Sequence, residues 1–183
     1  MSTTALAPTA LPTGTWTADT LHSSIRFSVR HMVVSTFRGE VPEFSGSFVV
    51  GDDGAALQGS APVASIRTQD PNLDAHLVSP DFFDAENHPE LHFASTEIHR
   101  DGDRLTVEGE LTLRGVAKPI TLLGTLSGPV DDPFGSVRLG IALEGTIDRR
   151  DYGIEWNAPL PGGGFALGNE VTITADLDLI REG

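Results

Sequence analysis

The sequence has no cysteine, a single tyrosine and few basic residues. Without cysteine, the chain can form no disulfide bond, no thiolate nucleophile and no sulfur-ligated metal site. Twelve Lys and Arg residues stand against 26 Asp and Glu residues, which gives a net charge of −14. Because phosphate groups are bound by a basic field, this charge argues against nucleic acid and against an anionic bilayer surface as partners.

Long apolar runs are also absent. No run approaches the roughly 20 residues of a membrane-spanning helix, so we expect no stable membrane insertion. Residues 1–14 (MSTTALAPTALPTG) contain neither a positive n-region nor an uninterrupted apolar run before the prolines, as a secretory signal would. We therefore expect a disordered tail over residues 1–13 of a cytoplasmic protein. The remaining length accommodates one domain, residues 14–181, with its own core.

The dominant pattern of the chain is a period-two alternation of apolar and polar residues. The pattern predicts strands at residues 14–19, 24–34, 37–50, 57–68, 91–99, 105–113, 120–126, 137–148 and 171–179. Hairpin turns such as GDDG at 51–54 and RDGD at 100–103 indicate antiparallel connections. Eight or nine such strands fit a sandwich or an up-and-down barrel. We favour an all-β, antiparallel, eight-stranded barrel, because closure removes two long unprotected edges.

Residues 68–93 interrupt the strands. Asp70 before Pro71, and Ser79 before Pro80, each place an N-cap side chain before a proline at the first helical position. Two short helical turns are therefore predicted, at residues 72–78 and 81–85. Their many apolar residues require a surface to pack on, so we expect this insert to form a lid over the barrel.

Several spaced motifs carry a family resemblance. They are DTLHSSIRFSVRH at residues 19–31, SPDFFD at 79–84, HPELHF at 88–93, GELTLRGVAKP at 109–119 and RRDYG at 149–153. Over residues 14–179 the chain resembles the YceI-like family. The resemblance implies a lipocalin-like antiparallel barrel whose elongated apolar cavity holds a polyisoprenoid or another long-chain lipid.

The composition is compatible with such a cavity. Nine phenylalanines against one tyrosine provide aromatic surface with few hydrogen-bonding groups. Small residues on apolar strand faces, namely Gly46, Gly109, Gly145 and Ala175, are expected to leave space. The predicted ligand-binding residues are Phe27, Val29, His31, Phe44, Phe48, Phe93, Leu111, Leu122 and Ile141 on the strands, with Leu77, Phe82 and Phe83 on the lid. The alternative is that the same faces form a filled core.

Histidines raise the question of a metal. His88 and His92 flank Glu90, but Pro89 and the following strand separate the two rings by about 13 Å, which is too far for one tetrahedral zinc ion. His22, His31 and His76 remain a possible convergence, although hydrogen-bonded structural roles explain them more simply. Asp81 and Asp84 are interpreted as capping residues. We predict no metal and no cofactor.

Other chemistry finds little support. No serine lies in a G-x-S-x-G elbow, and PGGGFALG at residues 161–168 lacks a nucleotide-binding pattern. Arg114, Lys118, Arg149 and Arg150 cluster in sequence and are candidates for a pyrophosphate clamp, which arginine's planar fork would suit. Against this, residues 115–119 are predicted to form a turn, and Arg149 is equally explained by an ion pair with Asp148 or Asp151.

We therefore expect a non-enzymatic protein, without catalytic residues, that carries or sequesters a polyisoprenoid or related long-chain lipid. Two alternatives stay open: an enzyme that isomerises or hydrolyses a lipophilic substrate with His31 or His76, and a structural barrel without a cavity. Burying one CH₂ contributes about 0.8 kcal/mol, so chain length should dominate affinity over the head group. The sequence leaves homodimerisation open.

Overall fold

The computed structural model describes residues 10–183 of the chain. It contains ten strands, one α-helix and two 3₁₀ turns. The strands are β1 (Gly14–Ala18), β2 (Ser24–His31), β3 (Ser35–Glu40), β4 (Ser45–Gly51), β5 (Gly54–Pro62), β6 (Glu90–Asp101), β7 (Arg104–Leu113), β8 (Val116–Asp131), β9 (Val137–Asp148) and β10 (Leu167–Arg181). The helix α1 spans Pro71–Leu77, and the 3₁₀ turns span Val63–Ser65 and Arg149–Tyr152.

The strands form one closed antiparallel barrel. The ring runs β1-β4-β5-β6-β7-β8-β9-β10 and closes where β10 pairs with β1. The N-terminal part of β10, residues 167–176, pairs with β2, and β2 pairs with β3. β1 and β2 therefore act as two halves of one bent barrel strand, and β3 and β4 act as halves of the next. The prediction of an eight-stranded antiparallel barrel is confirmed, with eight strand positions built from ten segments.

Two of the predicted strands end or break earlier than expected. The strand predicted at residues 24–34 stops at His31, because Met32 and Val33 adopt left-handed φ angles of 52° and 66° that turn the chain into β3. The segment predicted as one strand at residues 37–50 is split into β3 and β4. The break contains Pro42, where a bend was expected, since proline cannot donate to a ladder.

The lid lies where the sequence predicts it, but its secondary structure differs from the prediction. Here "the lid segment" means residues 63–89, between β5 and β6. Asp70 caps α1 as predicted, because its carboxylate accepts from the Asn72 N–H at 2.9 Å. The second predicted helix is wrong: residues 79–87 form successive turns. Ser79 Oγ donates back to the His76 carbonyl at 2.6 Å instead of capping, and Asp84 has a left-handed φ of 51° that a helix cannot continue through.

Three further expectations are corrected. The strand predicted at residues 57–68 ends at Pro62, and the following 3₁₀ turn begins the lid segment. The turn predicted at residues 115–119 is only the two residues Arg114 and Gly115, with φ of 51° and 72°, and β8 starts at Val116. Asp84 does not cap a helix; it is buried and accepts from the Asn87 side chain.

The predicted tail partly lies outside the described residues, which begin at Ala10. In the described part of this segment, Leu11 packs against the core and the Pro12 carbonyl accepts a hydrogen bond from Trp16 Nε1 at 3.2 Å. The first residues of the described chain therefore cover one end of the barrel. The helix and turns of residues 10–183 include none long and apolar enough to cross a membrane.

The two ends of the barrel are occupied differently. The end that carries the β4–β5 and β6–β7 hairpins is packed by fully buried side chains: Trp16, Phe48, Leu105, Leu139, Ile141 and Leu179. We call this the filled half. The opposite end is covered by the lid segment, the β2–β3 hairpin and the loop between the second 3₁₀ turn and β10, and we call it the lid half.

Candidate functional site

A cavity of about 660 Å³ occupies the lid half of the barrel. Its floor is formed by the buried side chains of Leu57, Leu143 and Leu177, and its upper wall by the lid segment. The walls are almost entirely apolar. The volume falls within the range of about 300–1,000 Å³ that small-molecule sites occupy. The alternation therefore does not build a filled core along its whole length.

Most of the predicted ligand-binding residues line this cavity. The strands contribute Phe27, Val29, His31, Phe44, Phe93, Leu111 and Leu122, and the lid contributes Leu77, Phe82 and Phe83. Two predicted residues do not line it. Phe48 and Ile141 point inward as expected, but they lie lower in the barrel and are packed in the filled half. Whether the ten wall residues contact a ligand stays a prediction.

The small residues do not all leave space. Ala175 and Gly46 belong to the cavity wall. At Gly109, in contrast, a Cβ would lie 2.7 Å from the Phe93 ring, and at Gly145 a Cβ would lie 2.7 Å from Leu122 Cδ2. The space that these two glycines free is therefore filled by neighbouring wall residues, which can lie flat against the sheet.

Three aromatic rings form one side of the cavity near its mouth. The His76 ring meets Phe82 and Trp156 edge-on, with centroid distances of 4.9 and 4.8 Å, and Phe82 lies 5.4 Å from Trp156. His76 Nε2 lies 3.0 Å from Asp81 Oδ2, so Asp81 pairs with a histidine rather than capping a helix. Sequence reasoning missed Trp156, because it lies in a loop without periodicity.

The histidines considered for a metal do not converge. His31 and His76 line the cavity, whereas His22 lies on the outer surface beside Asp19, with Nδ1 2.8 Å from Oδ2. Within residues 10–183, the one group of three side chains whose ligand atoms lie within 4.8 Å of one another is Asp19, His22 and Asp178. Arg138 already donates to both of these carboxylates at 2.9 Å, so the group is an ion-pair network.

That network perturbs the acids in it. Hydrogen bonds from His22 and from Arg138 lower the pKa of Asp19 to about 2. Arg138 also donates to Asp132 at 2.8 Å, and this bond lowers the pKa of the Asp132 carboxyl. The network lies on the outside of the filled half, away from the cavity.

The four basic residues considered as a clamp also point in different directions. Arg150 lies outside and pairs with Asp148 at 2.6 Å. Arg114 donates to the Gly153 carbonyl at 3.0 Å, and Lys118 is exposed on β8. Arg149 is buried and belongs to the cavity wall. The expected ion pair of Asp148 is therefore with Arg150, and a four-residue clamp is not formed.

Closed antiparallel strands around a lidded apolar cavity define the protein as a lipocalin-like barrel. Residues 16–179 match the family model of the YceI-like domain. Protein YceI of Escherichia coli is 35% identical over 137 residues, which cover 73% of this chain and 72% of that protein. The chain therefore belongs to the YceI-like family.

Solved structures share the fold. BcnA of Burkholderia cenocepacia superposes with a TM-score of 0.74 at 21% identity, covering 88% of this chain and 98% of that one. A polyisoprenoid binding domain from Saccharophagus degradans, implicated in plant cell wall breakdown, superposes with a TM-score of 0.68 at 13% identity, covering 91% and 98%. At these identities the likeness concerns the fold alone.

Proposed function

We propose that this protein binds a polyisoprenoid or related long-chain lipid inside the lid half of the barrel, and that it carries or sequesters that lipid without chemical conversion. The observation that carries the proposal is the 660 Å³ cavity with almost entirely apolar walls. Membership of the YceI-like family and the likeness to a polyisoprenoid binding domain support the same class of ligand.

The energetics favour a long chain. A five-carbon prenyl unit buried in such walls contributes roughly 3 to 4 kcal/mol gross, and micromolar affinity requires about 8 kcal/mol net. A few prenyl units are sufficient to offset the ordering of the ligand chain. Affinity should accordingly rise with each added prenyl unit until the cavity is filled.

The decisive experiment compares native with denaturing mass spectra of freshly purified protein, followed by extraction and fragmentation of the released molecule. We expect a bound mass that is lost on denaturation and that fragments in prenyl or methylene steps. If no bound mass is detected even after incubation with prenyl and acyl lipids, the proposal is overturned.

The absence of chemical conversion is tested on the same material. The extracted lipid is incubated with the protein and followed by chromatography, and we expect it to be recovered unchanged. If the wild-type protein converts the lipid and His31→Ala or His76→Ala abolishes that conversion, the protein is an enzyme instead.

A cytoplasmic location also belongs to the proposal and is tested by cell fractionation. Light scattering determines whether the protein is a homodimer.

A further inference from the structure

Among residues 10–183, Arg149 is a buried cation that forms no ion pair. It is the first residue of the second 3₁₀ turn, and its side chain turns inward so that only 4% of the residue is exposed. Its Nε donates to the Gly168 carbonyl at 2.9 Å, and its Nη1 donates to the Ile154 and Trp156 carbonyls at 3.0 and 2.8 Å. Among residues 10–183, no carboxylate oxygen lies within 4.0 Å of its guanidinium nitrogens.

The neighbouring residue shows why the charge is left unpaired. Asp148, the nearest acid in sequence, is engaged by Arg150 through contacts of 3.0 and 2.6 Å on the outer surface. Burial lowers the pKa of Arg149, which reflects the cost of holding a cation away from water. Charges buried in proteins are normally paired, so the structure lacks one half of an expected pair.

Among residues 10–183, two donors of this guanidinium are left over, and its residue lines the cavity. Arg149 belongs to the cavity wall, together with Ile154 and Trp156 whose carbonyls it holds. A guanidinium has five N–H donors, and the three used here are on Nε and Nη1. Within the described part of the chain, Nη2 has no hydrogen-bond partner, and its two N–H groups remain for a molecule in the cavity.

Arg149 lies at the lid end of the cavity, because it begins the 3₁₀ turn that follows β9. The ring of Trp156, whose carbonyl Arg149 holds, packs edge-on against His76 of α1 at 4.8 Å. Arg149 also donates to the carbonyl of Gly168, and the neighbouring Leu167 pairs with His31, the last residue of β2 before the β2–β3 hairpin. The floor residue Leu177 pairs with Ile141, eight residues before Arg149 on the strand that leads to it, so a chain whose head lies at Arg149 extends along the barrel axis toward the floor.

We propose that Nη2 of Arg149 binds an anionic oxygen of the ligand's head group, and that the lipid bound here is an acid, either a carboxylate or a phosphate ester. This inference rests on the proposed function. A charge-assisted hydrogen bond to an oxyanion pairs the buried cation, whereas an alcohol leaves its charge uncompensated. A site that holds a donor for one group discriminates strongly against the analogue that lacks it.

The test compares ligands that differ only in the head group. Farnesol, farnesoic acid and farnesyl monophosphate share one prenyl chain, and their dissociation constants are measured on wild-type protein by titration calorimetry at neutral pH. We expect the acid and the phosphate to bind roughly ten- to hundredfold more tightly than the alcohol. The acid-to-phosphate ratio then shows which of the two oxyanions the site prefers.

Equal affinity for all three would overturn the head-group inference while leaving lipid binding intact. Binding of none would overturn both. A variant pair localises the effect: Arg149→Gln should abolish the preference for acid over alcohol while farnesol still binds, and Arg150→Gln, one residue away on the outer surface, should retain it. Since Arg149 also holds three carbonyls, Arg149→Gln is assessed by circular dichroism. If it is unfolded, the comparison on wild-type protein decides.

Discussion

The two halves of the barrel are built from the same strands and yet differ in what fills them. Along β10, Leu179 is fully buried in the filled half, whereas Ile173 and Ala175, nearer the lid on the same face, are half-buried cavity walls. β7 repeats the difference, since Leu105 is packed in the filled half while Leu111 reaches the cavity. The filled half supplies stability, and the lid half supplies an interior surface that a ligand can cover.

The largest expected effect is on the stability of the filled half. Phe48→Ala removes a ring that is fully buried, and we expect a loss of about 3–5 kcal/mol in the free energy of unfolding, because it leaves a cavity among packed side chains. Urea denaturation with ligand-free protein measures this change. A loss under about 1 kcal/mol would mean that the filled half also contains space.

Phe83→Ala makes the same substitution in the lid half. Phe83 is half-buried and already borders the cavity, so we expect a stability loss of only about 1 kcal/mol but a dissociation rate for bound lipid that rises about tenfold or more. Stopped-flow displacement by a fluorescent lipid measures the rate. An unchanged rate would contradict the role of the lid segment in retaining ligand.

Filling the cavity should separate binding from folding. Ala175→Phe places a ring inside the lid half, and we expect fewer bound lipid molecules per protein in native mass spectra, with the fold retained. Ala142→Phe is the matched control, because Ala142 is exposed on the outer face of β9. Loss of binding in both variants would indicate a general disturbance of the barrel.

Acid should weaken the filled half through its surface network. The pKa of Asp19 is lowered to about 2 in the folded protein, so the stability it contributes is present above its ordinary value near 4 and is lost as the pH falls toward 2. In Arg138→Met this fall should be shallower, because Arg138 helps to lower the pKa of both Asp19 and Asp132. Denaturation curves collected between about pH 5 and 2 test the slope. If stability falls with pH equally steeply in the wild type and in Arg138→Met, the ion-pair network does not contribute to the acid sensitivity.

The smallest effect concerns polar atoms buried in the two halves. Trp16 donates to Pro12 in the filled half, but within residues 10–183 the hydroxyl of Tyr152 has no partner. Burial raises the pKa of Tyr152 to about 12. We expect Tyr152→Phe to leave stability unchanged or to raise it by less than about 1 kcal/mol, since no hydrogen bond is lost. Thermal denaturation measures it, and a clear loss would reveal a partner such as a bound water.

The sequence predicted the barrel because alternation reports directly on which side chains point inward. It does not report how far along the barrel axis a residue lies. Phe44 and Phe48 stand in one alternating series, but Phe44 borders the cavity and Phe48 is packed below it. Their difference arises from the heights at which neighbouring strands meet, which depend on pairing across the whole ring.

The site residues that sequence reasoning did not assign lie where alternation stops. Arg149 and Arg150 follow β9 in a 3₁₀ turn, and this turn directs one inward and its neighbour outward. Trp156 lies in an irregular loop. No pattern in the sequence distinguishes it from Phe165, another loop aromatic, which is exposed.

The pairing of β10 also has a consequence for how the protein folds. β10 is the last strand in chain order, yet it completes the ring by pairing with β1 and β2, and Thr17 bonds Glu182 across a separation of 165 residues. Until β10 has been synthesised, the edges of β9 and of β1 stay open and available to other chains. Closure therefore requires nearly the whole barrel domain to have been synthesised, and contacts of such long range make it slow.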